Sequence, residues 1–197
     1  MEVYLLVLFA YLLGSVPTGY ILGSVAGVDV RKAGSGNVGA TNVARVVGKR
    51  YGILTLVADI AKGFVPVIVA LNIGLTPAAT ALVGIAAFLG HLYPVFLRFQ
   101  GGKGVATALG VFLGLAPWAT LILMAIFVLV LLATRVVSLS SMVAAGCAPI
   151  VFGLFFHSPI LTGMSLFIAL MIVLRHRSNI QRLLSGTEPR LGTSSSR

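Results

Sequence analysis

Three polar segments interrupt an otherwise apolar chain, and each carries residue types suited to holding an anion. The first covers residues 34–45, Gly-Ser-Gly-Asn-Val-Gly-Ala-Thr-Asn-Val-Ala-Arg. Glycines at Gly34 and Gly36 let successive backbone amides turn toward one point, and such nests hold anions. Ser35, Thr41 and Asn42 add neutral hydrogen-bond donors, and Arg45 adds a planar fork matched to phosphate. A polar loop with a helix cap is the plainer alternative. The spacing is neither a Walker A loop nor a dinucleotide fingerprint.

The second segment, residues 90–107, places Gly101, Gly102 and Gly104 around Lys103 just before an apolar run. A glycine-rich turn entering a helix aims amides and the positive end of the helix dipole at an anion. Lys103 would sit beside it. His91 lies earlier in the same segment, and a structural role is expected for it. The third segment, residues 175–192, reads in part as a basic amphipathic stretch on a bilayer surface. His176 and Asn179 are three apart, so a helix puts them on one face. Glu188 is the acid of that segment and is expected to pair with a neighbouring arginine. Asp59 and Lys62 stand apart, three residues from each other inside an apolar run. Ionisable groups there usually mark function; a self-neutralising pair in a supporting role is the alternative.

The elements that must position these groups are membrane helices. Of 197 residues, 58% are apolar and only 9% charged, whereas soluble domains carry about a quarter charged residues. A soluble globule, a disordered chain and a coiled coil are excluded. Continuous apolar runs also argue against a transmembrane β-barrel, which shows short alternation. The expected fold is all-α, a polytopic membrane protein with seven transmembrane helices. The runs are 3–28, 53–73, 78–97, 104–116, 117–134, 139–156 and 159–174. Pro117-Trp118 divides the fourth from the fifth, since proline suits a helix start and tryptophan the interface.

Fourteen Lys and Arg against four Asp and Glu give a net charge of +10. With seven spans, every basic residue except Lys62 falls on one side of the membrane. By the positive-inside rule the amino end is outside and the carboxyl end cytoplasmic. The excess charge therefore reflects topology and anionic lipid, not nucleic acid. Residues 1–192 are read as a single integral-membrane domain, and the Ser-rich tail 193–197 as disordered. One cysteine, Cys147, forms no intrachain disulfide, and no Cys/His cluster suggests a metal.

Three clusters of anion donors on one face, almost without carboxylates, fit a phosphate-bearing ligand. Three readings follow: an enzyme acting on phosphorylated, lipid-like substrates, an anion transporter, and a non-catalytic membrane protein that binds lipid head groups. A transporter needs polar lining on both faces, and the outer half of this chain is nearly featureless. That favours a site at the cytoplasmic interface.

At these three segments the sequence resembles the bacterial acyl-phosphate:glycerol-3-phosphate acyltransferases. The match covers essentially the whole chain. It rests on Gly34-Ser35-Gly36-Asn37 with Thr41, Asn42 and Arg45, on Gly90-His91 with Gly101-Gly102-Lys103-Gly104, and on His176-Arg177-Ser178-Asn179 with Gly186-Thr187-Glu188. The His-x-x-x-x-Asp signature of the other acyltransferase class is absent, because Phe96, Thr162 and Gln181 stand where its aspartate would be.

The resemblance implies the first acylation of phospholipid synthesis in the bacterial inner membrane. A fatty acyl phosphate gives its acyl group to the sn-1 hydroxyl of glycerol 3-phosphate. The products are lysophosphatidic acid and phosphate, with no metal or other cofactor. A monomer is expected. The Gly101–Gly104 turn with Lys103, helped by Thr41 and the first segment's amides, is expected to hold one phosphate. Arg45, Ser35, His176 and Asn179 are the candidates around glycerol 3-phosphate, and Ser141 is a further one. His176 and the acyl phosphate's own oxygen are rival bases.

Overall fold

Proline and glycine punctuation sets the helix boundaries. The computed structural model describes residues 1–192, and the regular structure among them is helical. The helices are α1 (Glu2–Ser15), α2 (Thr18–Val25), α3 (Ala40–Val46), α4 (Lys49–Asn72), α5 (Pro77–Leu92), α6 (Val105–Leu115), α7 (Pro117–Thr134), α8 (Val137–Phe156), α9 (Pro159–Arg175) and α10 (Arg177–Leu184), with a 3-10 turn at Val95–Leu97 after α5. The expected tail at 193–197 lies outside the described residues. Pro77 and Pro159 open α5 and α9, where a missing N–H costs nothing. The Thr76 and Ser158 hydroxyls before them accept from the Ala79 and Leu161 amides. Pro17 divides the first apolar run. It forces Val16 into extended geometry, φ −60° and ψ 114°, so α1 stops and α2 restarts.

The helices form two compact units, Met1–Ala116 and Pro117–Arg197. In the first, α1 packs on α5, and α4 packs on α6 as well as on α1, α2, α3 and α5. Glycine makes the tightest crossings. A side chain on Gly14 would collide with the Ala87 backbone, and one on Gly90 with the Tyr11 carbonyl. Gly63 and Gly110 likewise meet the Thr107 and Ile60 carbonyls between α4 and α6. Lipid is as apolar as leucine, so membrane helices associate through such close backbone approach. In the second unit, α8 packs on α7 and α9, and α10 adjoins α9.

Each expected apolar run carries helix, and the split at Pro117 falls where α7 begins. Among the described residues five helical stretches have spanning length and apolar composition, and there are six if the α9–α10 pair, bent by 58°, counts as one span. The fourth expected span is the exception. The helix there, α6, has 11 residues, about 16 Å at 1.5 Å per residue. The hydrocarbon layer is roughly 30 Å thick. Fourteen residues separate α2 from α3, and that loop together with α3 carries the first polar segment.

Candidate active site

In the first segment the sequence builds a braced loop. Gly34 and Gly36 take the left-handed conformation, with φ of 60° and 70°. The organiser is Asn42, which is 2% exposed. Its Oδ1 accepts from the Ser35 amide at 2.8 Å. Its Nδ2 faces the Val30, Ala33 and Asn37 carbonyls at 3.0, 3.1 and 2.9 Å. Two amide hydrogens thus serve three acceptors, with one shared. Asn37 Oδ1 accepts from the Gly39 amide at 2.7 Å, an Asx turn leading into α3. Beneath the loop lies an apolar cluster of Val30, Val38 and Val43, with Leu97 from the second segment packed on it. Ser35, Thr41 and Arg45 remain exposed on this frame.

These bonds alter the expectation of a nest of outward amides. The Ser35 and Gly39 amides are bonded within the loop, and the Gly36 amide donates to the Ala33 carbonyl at 3.1 Å. Three of the segment's amides are thus engaged, and the exposed side-chain donors on the frame are Ser35, Thr41 and Arg45.

The second segment differs in the same way. The Gly101 and Gly102 amides do not project toward an anion. They donate to the Leu92 and His91 carbonyls at 3.2 and 3.1 Å, closing off the carboxyl end of α5. The glycines are there for space. A Cβ on Gly101 would strike the His91 carbonyl, and one on Gly102 the His91 ring. Gly104 has φ of 83° and lies against Phe88 and Leu92. The turn therefore packs onto α5 and delivers a half-buried Lys103 to the start of α6.

In the second unit, His176 sits at the α9–α10 bend, 3% exposed. Its Nδ1 lies 2.8 Å from the Ile172 carbonyl. A carbonyl oxygen only accepts, so Nδ1 carries a proton, and the neutral ring has its lone pair on Nε2. Asn179, also buried, donates to Glu188 Oε1. The same oxygen accepts from Ser138 Oγ at 2.6 Å, and Oε2 accepts from Arg182 Nε at 2.7 Å. Glu188 thus ties α10 to the first turn of α8, and Leu191 N–H donates to the Arg135 carbonyl nearby. Ser141 is buried, with its hydroxyl on the Val137 carbonyl at 2.9 Å. Ser138 was not singled out by sequence reasoning. The run Ser138-Leu139-Ser140-Ser141 opening an apolar helix was its signal.

Burial works against the Glu188 carboxylate, but hydrogen bonds from Ser138, Asn179 and Arg182 outweigh it and hold its pKa below the ordinary value. A depressed folded-state pKa gives stability that is present above the unfolded value and is lost as pH falls through the folded one. Glu188→Gln should lower stability at neutral pH by about 1–3 kcal/mol. It should also flatten the decline of melting temperature on acidification. Thermal unfolding in detergent across the acid range checks this; an unchanged slope in the variant would assign the dependence to another group.

Two of the remaining acids, Asp29 and Asp59, are similarly engaged. Arg31 bonds both oxygens of Asp29, at 3.0 and 2.9 Å, and lies over the Tyr20 ring. Those bonds bring the Asp29 pKa down to about 2. Lys62 Nζ is 2.8 Å from Asp59 Oδ1. Glu2 is the one acid outside these pairs, at the amino end of α1. The donors around Arg45 and Lys103 therefore meet little competition from carboxylates for an anion. Among the described residues no group of three or more His, Cys, Asp or Glu is placed to hold a metal ion.

Apolar helices, braced polar loops, paired acids and the cationic side chains of Arg45 and Lys103 define an integral membrane protein with candidate groups for an anionic ligand. Comparison with known proteins makes this specific. The glycerol-3-phosphate acyltransferase family profile matches residues 4–186, and the chain belongs to that family. It is 53% identical over 183 residues to the glycerol-3-phosphate acyltransferase of Geotalea daltonii, covering 93% of this chain and 94% of that one. It is 56% identical over 186 residues to that of Geobacter metallireducens, covering 94% and 96%. The fold matches the solved structure of PlsY (YgiH), an integral membrane glycerol 3-phosphate acyltransferase, in its glycerol 3-phosphate form. The TM-score is 0.95 at 43% identity, over 98% of this chain and 97% of that one. The lysophosphatidic acid form of PlsY matches with a TM-score of 0.92. Membership of an acyltransferase family sets aside the transporter and the passive head-group binder.

Proposed function

We propose that this chain transfers a fatty acyl group from acyl phosphate to the sn-1 hydroxyl of glycerol 3-phosphate, releasing lysophosphatidic acid and inorganic phosphate. The observation that carries the reading is the likeness, over nearly the full chain, to a protein solved in glycerol 3-phosphate and lysophosphatidic acid forms. The cationic donors, with three of the four acids paired, support a pair of phosphate-bearing reactants.

An acyl phosphate is a mixed anhydride and is already activated. The glycerol hydroxyl oxygen attacks its carbonyl carbon, the bond from that carbon to the phosphate oxygen breaks, and the hydroxyl proton passes to a base. The protein's task is to align the reactants and stabilise charge on the carbonyl oxygen and the departing phosphate. Lys103 and Arg45 supply that charge, with Ser35 and Thr41 as neutral donors. Asn42, Asn37 and the five motif glycines shape the loops that hold them. His176 is the side-chain base, oriented by a backbone carbonyl instead of a carboxylate. Asn179 and Ser141 are further polar groups for the substrates, on α10 and α8, and Glu188 holds Asn179 in place.

The two compact units are read as one acyltransferase domain, since the family profile runs across both. Seven crossings, with the amino end outside and the reaction on the cytoplasmic face of the bacterial inner membrane, follow from the one-sided basic residues. In that topology α6 crosses a locally thinned layer. The chain works as a monomer.

The test is an assay of purified protein in lipid nanodiscs with labelled glycerol 3-phosphate and each donor in turn. Lysophosphatidic acid should form with acyl phosphate and not with acyl-CoA or acyl carrier protein. No product from folded protein, or turnover with acyl-CoA, would overturn the reading. Single cysteines at Gly74 and Ser185 in a Cys147→Ala background should label from opposite sides. Labelling from one side would refute the seven-span topology.

A further inference from the structure

Asp59, Lys62 and His91 are 2%, 5% and 6% exposed, and no step of the proposed transfer uses them. An ion pair held inside membrane helices is costly, so its retention calls for a reason. The pair is connected at both ends. Lys62 Nζ donates to the Val16 carbonyl at 3.0 Å. That carbonyl belongs to the residue that Pro17 holds extended at the end of α1. On the other side, Asp59 Oδ1 lies 3.8 Å from His91 Nδ1. The His91 ring fills the space that a Gly102 side chain would need, and the His91 carbonyl accepts the Gly102 amide at 3.1 Å. Gly102 precedes Lys103 directly. A continuous path thus runs from the α1 break through Lys62, Asp59 and His91 to the turn that carries Lys103.

A direct role for the pair in holding substrate fails on size. The cavity that Asp59, Lys62 and His91 border, with Val16, Val38 and Pro94, has a volume of about 10 Å³. That is room for about one water molecule, and neither glycerol 3-phosphate nor an acyl phosphate fits.

We propose that the Asp59–Lys62 pair and His91 are positioning residues: they fix the Gly101–Gly104 turn, and with it the placement of Lys103. The inference rests on the reading of Lys103 as a phosphate clamp. An apolar pair of similar size would fill the same space but would remove the Lys62 bond to the Val16 carbonyl, which would keep only the Thr18 amide, and the Asp59 carboxylate beside the His91 ring. The device thus sets a geometry and does not merely fill a core.

The test uses the full chain in nanodiscs. Asp59→Asn/Lys62→Met removes both charges together, so neither is left buried alone. His91→Ala removes the seat of the turn while leaving the ion pair intact. Both should retain kcat within about twofold and raise KM for one phosphate substrate about tenfold. Neither should raise KM further in a Lys103→Ala background, because residues that act through one another are not additive. An unchanged KM in folded variants, or a full multiplicative loss on top of Lys103→Ala, would overturn the proposal. Lys103→Ala alone separates the premise from the inference: wild-type kinetics there would refute the clamp, whatever the other variants do. If the charge-free double variant does not fold, His91→Ala decides by the same two criteria.

Discussion

Replacing Arg45 or Lys103 with alanine is expected to reduce kcat/KM by about a hundred- to a thousandfold, mostly through a higher KM, the loss typical of removing one charged partner from a desolvated phosphate contact. Each residue stands at the end of a braced element. Arg45 is exposed in the last turn of α3, whose entry is fixed by the Asn37 and Asn42 bonds. Lys103 follows a turn packed onto α5. Arg45→Ala removes no bond of that bracing, so its melting temperature in detergent should stay near the wild-type value. Arg45→Lys keeps the charge but loses the planar fork that engages two phosphate oxygens together. It should recover only part of the activity. Near-normal kcat/KM in either alanine variant would remove that residue from the site.

The sequence alone made the helices legible, because hydropathy and proline report directly on membrane insertion and helix entry. Pro17 and Pro117 fall at real breaks, and the runs around Asp59 and His91 are helical. The span count was less legible, since an 11-residue helix has an apolar composition without spanning length. In the candidate site, the residue types were readable and their division of labour was not. Gly101 and Gly102 looked like amide donors because glycine-rich turns often are. Whether an amide points outward depends on which carbonyl lies opposite, here His91 and Leu92 at the end of another helix. Asn42 looked like a ligand group for the same reason, and its amide instead holds the loop together. Ser138 was overlooked because its partner, Glu188, is fifty residues away. The Lys62 bond to the Val16 carbonyl was equally hidden, since no side-chain pattern reveals an exposed backbone acceptor.

His176→Ala is expected to lower kcat by about a hundred- to ten-thousandfold, the usual contribution of a positioned acid–base group. Nδ1 is held by the Ile172 carbonyl, so the lone pair available to take the hydroxyl proton in the proposed mechanism is on Nε2. The acid limb of the wild-type kcat–pH profile should therefore report this ring and disappear in the variant. A loss confined to KM would give the base role to the acyl phosphate's own oxygen. Either assignment is compatible with direct transfer. The activated donor, the engaged acids and the absence of a base hydrogen-bonded to Ser35 among the described residues all argue against an acyl-enzyme. Direct transfer requires both substrates bound together, so initial-rate plots should intersect, where an acyl-enzyme would give parallel lines. Mass spectrometry of enzyme quenched with acyl phosphate alone should show unmodified protein. A stoichiometric acyl adduct on Ser35, formed and consumed at the turnover rate, would establish the covalent route instead.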